Sequence, residues 1–303
     1  MKKKTRRILL IIAAAVPLLT FALMLWLASF VMTGKRQTLD EAWEWQNEHY
    51  DASFYEKLEK TDYTVNSFDG YALHVQLLKN PSPTDNYIII SHGYTDNRMG
   101  ALKYVPIYLE EGFNCIIYDL RGHGENEKTF TTYGIREGED IAELVKDTRT
   151  RYSNISTLGL HGESLGAAST VTSLKYSPDI DFAVADCGFS DIDNVLRGSC
   201  KYYHMPEFFV DLADLGARVR YGYSLKSMRP IDSLDDNEVP ILFIHGSEDG
   251  FIPPKNSEDM AARTKGKSEL HYIEGAGHAN SVITDTESYK QYVRNFLSDI
   301  LKL

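Results

Sequence analysis

Six short apolar runs limit what this chain can fold into: Tyr87–Ile90, Cys115–Tyr118, Thr157–Leu160, Phe182–Ala185, Ile241–Ile244 and Leu270–Ile273. A strand with one wet face alternates apolar and polar side chains. These runs do not, so both faces need apolar neighbours, as in a parallel sheet covered by helices. Helical patterns fill the intervals near 99–111, 136–151, 165–176, 255–265 and 285–302, and this alternation predicts a doubly wound α/β fold. A hairpin precedes it, with Tyr63–Phe68 and Tyr71–Leu77 flanking Asp69-Gly70. One connection is too long. The 46 residues from Cys187 to Asp232 are aromatic-rich, and Phe208, Leu212, Leu215 and Val219 have helical spacing. They are expected to form a helical cap at about 187–232; the plain alternative is a crossover with extra helices.

The N-terminus differs from the rest. Ile8 to Met32 is an uncharged apolar run of 25 residues. As a helix it extends about 37 Å, enough to cross a hydrocarbon core of about 30 Å. A cleaved leader would have an apolar core of about 7–15 residues followed by a small-residue cleavage site. The run here is longer and no such site follows, so an uncleaved anchor is expected. Lys2, Lys3, Lys4, Arg6 and Arg7 precede the run, against Lys35 and Arg36 after it. That bias holds the N-terminus inside and directs the remainder outward, at the cell surface. Residues 37–303 carry 25 basic and 43 acidic side chains, net −18. Such a surface disfavours nucleic acid as a partner. The expected division is a basic tail and anchor over 1–36, a helical stalk over 37–60 opened by the capping box Thr38–Glu41, and one α/β domain over 61–303. Three cysteines, Cys115, Cys187 and Cys200, make no disulfide framework and lack metal-site spacing.

The chemistry centres on Gly162-Glu163-Ser164-Leu165-Gly166, which follows the run at Thr157 and opens a helical pattern. A serine on such a strand–turn–helix has an exposed hydroxyl and a strained backbone, and its second neighbours must be small. Without that context the motif would be only a serine in a glycine turn. A serine hydroxyl needs a base, which in this chain order follows the nucleophile. Of His204, His245, His271 and His278, the last lies in a small-residue loop, Gly275-Ala-Gly-His278, just after a strand. Asp249, in a turn after the strand at Ile241, is the acid expected to orient it; Glu248 and Asp186 are rivals. Oxyanion donors are expected at the backbone N–H groups of Leu165, after the nucleophile, and of Tyr94, in the loop Ser91-His92-Gly93-Tyr94. His92 itself reads as structural.

Together the motifs H-G-Y-T at 92–95, Y-D-L-R-G-H-G at 118–124, G-E-S-L-G at 162–166, H-G-S-E-D-G-F-I-P at 245–253 and G-A-G-H at 275–278 resemble the α/β-hydrolase superfamily over about residues 62–302. The stretch Arg229 to Pro253 is similar to membrane-bound cell-surface hydrolases of Gram-positive bacteria and to the prolyl-oligopeptidase-like branch. The resemblance implies a mostly parallel eight-stranded sheet, a two-step acyl-enzyme route, no metal and no cofactor. It also implies that Asp119, Arg121 and His123 serve structure. The expected reaction is hydrolysis of small carboxylic esters by a Ser164–Asp249–His278 triad. A peptidase or amidase with the same triad, an acyltransferase and a non-catalytic surface-binding protein are the alternatives.

Overall fold

The computed structural model describes residues 3–301; Lys2, counted above in the basic cluster, and the last two residues lie outside the described residues. Eight strands among the described residues form one sheet: β1 (Lys60–Asn66), β2 (Ala72–Leu78), β3 (Asn86–Ser91), β4 (Asn114–Tyr118), β5 (Thr157–Glu163), β6 (Phe182–Asp186), β7 (Ile241–Gly246) and β8 (Ser268–Ile273). The order is β1-β2-β4-β3-β5-β6-β7-β8. The pairs β1–β2 and β2–β4 are antiparallel; the rest are parallel. The alternation of apolar runs therefore gave the correct class.

Before the sheet come α1 (Lys3–Met32), α2 (Leu39–His49) and α3 (Phe54–Lys57). Then follow α4 (Val105–Glu110), α5 (Ile135–Arg151), α6 (Leu165–Ser173), α7 (Ile192–Tyr202), α8 (Phe208–Tyr221), α9 (Lys255–Arg263), α10 (Ser281–Thr284) and α11 (Thr286–Leu301). The strands separate two cores. Ile89, Ile116 and Leu160 face one, with α5, α6 and α8. Ile88, Ile90 and Ile117 face the other, with α4 and α11. Consecutive isoleucines thus serve opposite faces, which is why the runs show no polar alternation.

The long connection holds two helices, α7 and α8. The stripe Phe208–Leu212–Leu215–Val219 does not point into the core. Phe208, Leu215 and Val219 are 54%, 50% and 57% exposed, while Ala213, Gly216 and Ala217 form the buried face. Helical spacing marks a stripe but not which side it meets.

The segment Ile11–Met32 within α1 is long and apolar enough to cross a membrane, with mean hydropathy 2.4. Its last turns are part of the domain. Met24, Ala28 and Met32 are buried, and at i, i+4, i+8 they make one face packed on α8. A Cβ at Gly216 would lie 2.2 Å from the Met24 carbonyl oxygen and 2.9 Å from the Ala28 Cβ, so the helices cross at small residues. The Thr38–Glu41 capping box forms and opens α2.

Candidate active site

The strand order reverses beside β3, whose neighbours β4 and β5 continue in opposite directions. Sites in open α/β sheets gather at the carboxyl ends of strands around such a point. Ser164 lies there, directly after β5. It has φ 53° and ψ −111°, a conformation that costs a non-glycine residue about 1–3 kcal/mol and persists only where its surroundings enforce it. Both motif glycines permit the turn. A Cβ at Gly162 would lie 2.3 Å from the Gly166 carbonyl carbon, and one at Gly166 would lie 2.2 Å from the Ser91 carbonyl oxygen.

Ser164 Oγ is 2.9 Å from His278 Nε2, and His278 Nδ1 is 2.7 Å from Asp249 Oδ2. A carboxylate only accepts, so Nδ1 carries the proton and Nε2 is left to accept from the serine hydroxyl. Asp249 is itself fixed: its Oδ1 accepts from the N–H groups of Phe251 at 3.0 Å and Ile252 at 2.8 Å. Burial pushes its carboxyl up. The hydrogen bonds from His245, His278 and Ile252, with the charge on His278, nonetheless hold it below the usual carboxylate range. It is thus a stable anion at neutral pH.

The loop after β3 lies against the serine. A Cβ at Gly93 would be 3.8 Å from the Ser164 Cβ. Neither the Tyr94 N–H nor the Leu165 N–H has an acceptor among the described residues. His92 accepts from the Leu120 N–H through Nε2 at 2.9 Å and meets the Gly93 carbonyl through Nδ1 at 2.7 Å. Burial drives its imidazole down to about 3, so it stays neutral. Both its nitrogens are spent on holding this loop. Asp119 accepts from Arg98 and the Glu125 N–H, Arg121 pairs with Asp140 and Asp69, and His123 Nε2 meets the Tyr94 carbonyl.

The other side chains weighed from sequence lie elsewhere. Asp186 is buried and accepts from the Tyr104 hydroxyl at 3.0 Å; Glu248 is exposed. The His271 ring stacks on Tyr292, and His204 is exposed in the α7–α8 turn. His245 Nε2 donates to the Ile252 carbonyl at 2.8 Å and lies 3.3 Å from Asp249 Oδ2, so it braces the acid.

Four features had no sequence signal. The Lys103 ammonium is buried, paired with Glu163 beside the serine, and donates to the Ala279 carbonyl beside the histidine at 2.9 Å. One cation thus ties the turn bearing Ser164 to the loop bearing His278. The Phe251 ring meets His278 edge-on at 5.1 Å, and next to it a cleft of about 430 Å³ is lined by Val195, Gly198 and Tyr202 of α7. The Cys187 thiol is buried and lies within 4.8 Å of an Asp249 carboxylate oxygen and a His278 ring nitrogen. Finally, the end of α1 is stitched to the loop after β3. The Tyr94 hydroxyl accepts from the Gly34 N–H at 2.9 Å and donates to the Val31 carbonyl at 2.8 Å, and the Gln37 N–H donates to the Thr95 carbonyl.

Known proteins share this architecture. Residues 101–302 match the model of the prolyl oligopeptidase family. The chain is 33% identical to the Bacillus subtilis (strain 168) protein YqkD over 267 residues, 85% of each chain. It is 26% identical to human alpha/beta hydrolase domain-containing protein 17B over 70% of this chain and 65% of that one. The Pyrococcus furiosus esterase Pf2001 superposes with a TM-score of 0.67 at 24% identity, covering 80% of this chain and 94% of its own. Est1E from Butyrivibrio proteoclasticus, solved with ferulic acid bound, gives 0.61 at 16% identity over 80% of this chain and all of its own. With a family match over two thirds of its length and an eight-stranded sheet of the same type, the chain belongs to the prolyl oligopeptidase family and is a member of the α/β-hydrolase superfamily.

Proposed function

We propose that the chain is a membrane-anchored serine hydrolase that cleaves small carboxylic esters through an acyl-enzyme. The carrying observation is the chain of contacts from Ser164 Oγ to His278 Nε2 at 2.9 Å and from His278 Nδ1 to Asp249 at 2.7 Å. His278 takes the hydroxyl proton as Ser164 attacks the carbonyl carbon, and Asp249 stabilises the imidazolium. The Tyr94 and Leu165 N–H groups receive the oxyanion, a preorganised pair whose members each contribute about 3–4 kcal/mol in comparable sites. The imidazolium then protonates the leaving group. Water, deprotonated by the same nitrogen, cleaves the acyl-enzyme.

The esterases among the structural neighbours favour the ester bond, whereas membership of the prolyl oligopeptidase family favours a peptide bond. The test is a panel of p-nitrophenyl esters of rising acyl length beside peptidyl amides. Ester turnover that exceeds amide turnover at matched acyl groups supports the esterase reading; the reverse order selects the peptidase.

For location, the reading is a single span with the catalytic domain on the extracytoplasmic side. The basic residues before Ile8 support that orientation. Burial of Met24, Ala28 and Met32 supports retention of the segment, because cleavage would remove part of the core.

A further inference from the structure

The apolar stripe on α8 is an exposed helix face of a kind that soluble domains seldom present. Its position beside α1 identifies what covers it. Counted from Ile8, the first residue after the basic cluster, a hydrocarbon core of about 30 Å uses about 20 helical residues and ends near Leu27. Yet α8 already lies against α1 at Met24, through Gly216. The two ends of this count overlap by about one helical turn. The catalytic domain therefore cannot hang clear of the bilayer on a tether.

Helix α8 runs alongside α1 in the same direction, with Gly216 at Met24 and Ala28 and the Tyr221 hydroxyl on Ser29. We infer that the α7–α8 hairpin dips turn-first into the outer lipid layer, with Leu215 and Val219 near the headgroup boundary and Phe208 deeper among the acyl chains. The chemistry of the patch agrees. Tyr202, Tyr203 and Met205, 73%, 68% and 46% exposed, form the leading turn, an aromatic and apolar tip of the kind that enters a membrane surface. The α1–α8 crossing uses Ala28 and Gly216, the small-residue packing common between helices in lipid. Three charges flanking the stripe are paired, Asp211 with Arg197 and Lys226, and Arg218 with Asp214, while Arg220, at the domain end of the helix, lies over the Tyr221 ring. The net charge of −18 on residues 37–303 makes a zwitterionic surface the fitting one. This inference rests on the anchored reading above, and its test separates the two.

The full chain is reconstituted in phosphatidylcholine vesicles with a fluorophore on a single introduced cysteine; the three native cysteines are buried. The positions are Leu215→Cys, Val219→Cys, Leu19→Cys in the span and Asp236→Cys, whose side chain is 98% exposed. Quenchers are placed on the lipid chains at shallow or deep carbons. Seating at about 5–10 Å below the headgroups predicts that the shallow quencher removes about half of the signal at 215 and 219 and leaves 236 unchanged. The deep quencher acts on 19. Quenching at 19 with none at 215 and 219 overturns the seating and leaves the anchor standing. No quenching at 19 overturns both. Circular dichroism of each variant confirms that it is folded.

Discussion

Replacing Gly166 by alanine probes the packing that aligns the proposed oxyanion donors. The new Cβ would lie 2.2 Å from the Ser91 carbonyl oxygen and 2.7 Å from that of His92. A carbon and a carbonyl oxygen settle at about 3.3 Å or more, so the loop carrying Tyr94 must recede from the start of α6 by about 1 Å. A misplacement of about 1 Å at a reacting centre costs about 100-fold in rate, close to the about 2.7–4 kcal/mol of losing one oxyanion donor. The expected result is a kcat about 100-fold lower on a p-nitrophenyl ester, with KM little changed, because the oxyanion exists only after attack. Overpacking should also lower stability by about 1–3 kcal/mol. Steady-state kinetics in detergent measures the first effect and thermal unfolding the second. A folded variant with kcat/KM within about threefold of the parent, under 1 kcal/mol of barrier, refutes the reasoning: the contact would not then set the donor's position.

Asp249→Asn keeps an oxygen for the Phe251 and Ile252 N–H groups but no longer fixes the His278 tautomer; kcat should fall by about 10⁴-fold with little change in the melting temperature, as kinetics and calorimetry would report. Lys103→Met removes the cation between Glu163 and Ala279 and strands a buried carboxylate, so urea unfolding should show a loss of about 3–5 kcal/mol. Asp96 is pushed up to about 6, first by burial and then by the Glu163 charge, against a usual 3.8. The folded state therefore binds this proton more tightly than the unfolded state, and stability falls as pH rises from about 4 to about 6. Asp96→Asn should remove that penalty. It should stabilise the protein at pH 8 by about 1–3 kcal/mol, the rise in pKa at about 1.4 kcal/mol per pH unit setting the ceiling, and do nothing at pH 4. Unfolding across pH tests the sign.

The sheet was legible because its strands carry a two-sided apolar demand that few folds meet, and the first run at Tyr87 already shows it. The turn at Ser164 was legible for a related reason: Gly162 is forced by backbone contact across the turn with Gly166, and Gly166 by backbone contact with the neighbouring loop at Ser91. His278 and Asp249 could be selected by chain order and by their loops after β8 and β7. Lys103 could not, since its meaning arises only when a 3-10 helix before α4 is brought beneath two distant loops. Helix α7 does show helical spacing, with Ile192, Val195 and Cys200 on its buried face, but it is short and sits inside the long connection, where the spacing from Phe208 onward was the pattern singled out. The α8 stripe was recognised but its direction was not, because periodicity specifies a face and not its neighbour. The attachment of Val31–Gln37 to the loop at Tyr94 was likewise invisible, being made largely by backbone groups that every residue carries.

The most direct measurement is the site of covalent capture by a fluorophosphonate, read by mass spectrometry on the folded, full-length protein. An activated serine beside two free N–H groups predicts one adduct, on Ser164, lost in Ser164→Ala and strongly slowed in Asp249→Asn. An adduct on another residue, or none in folded protein, would contradict the proposed chemistry.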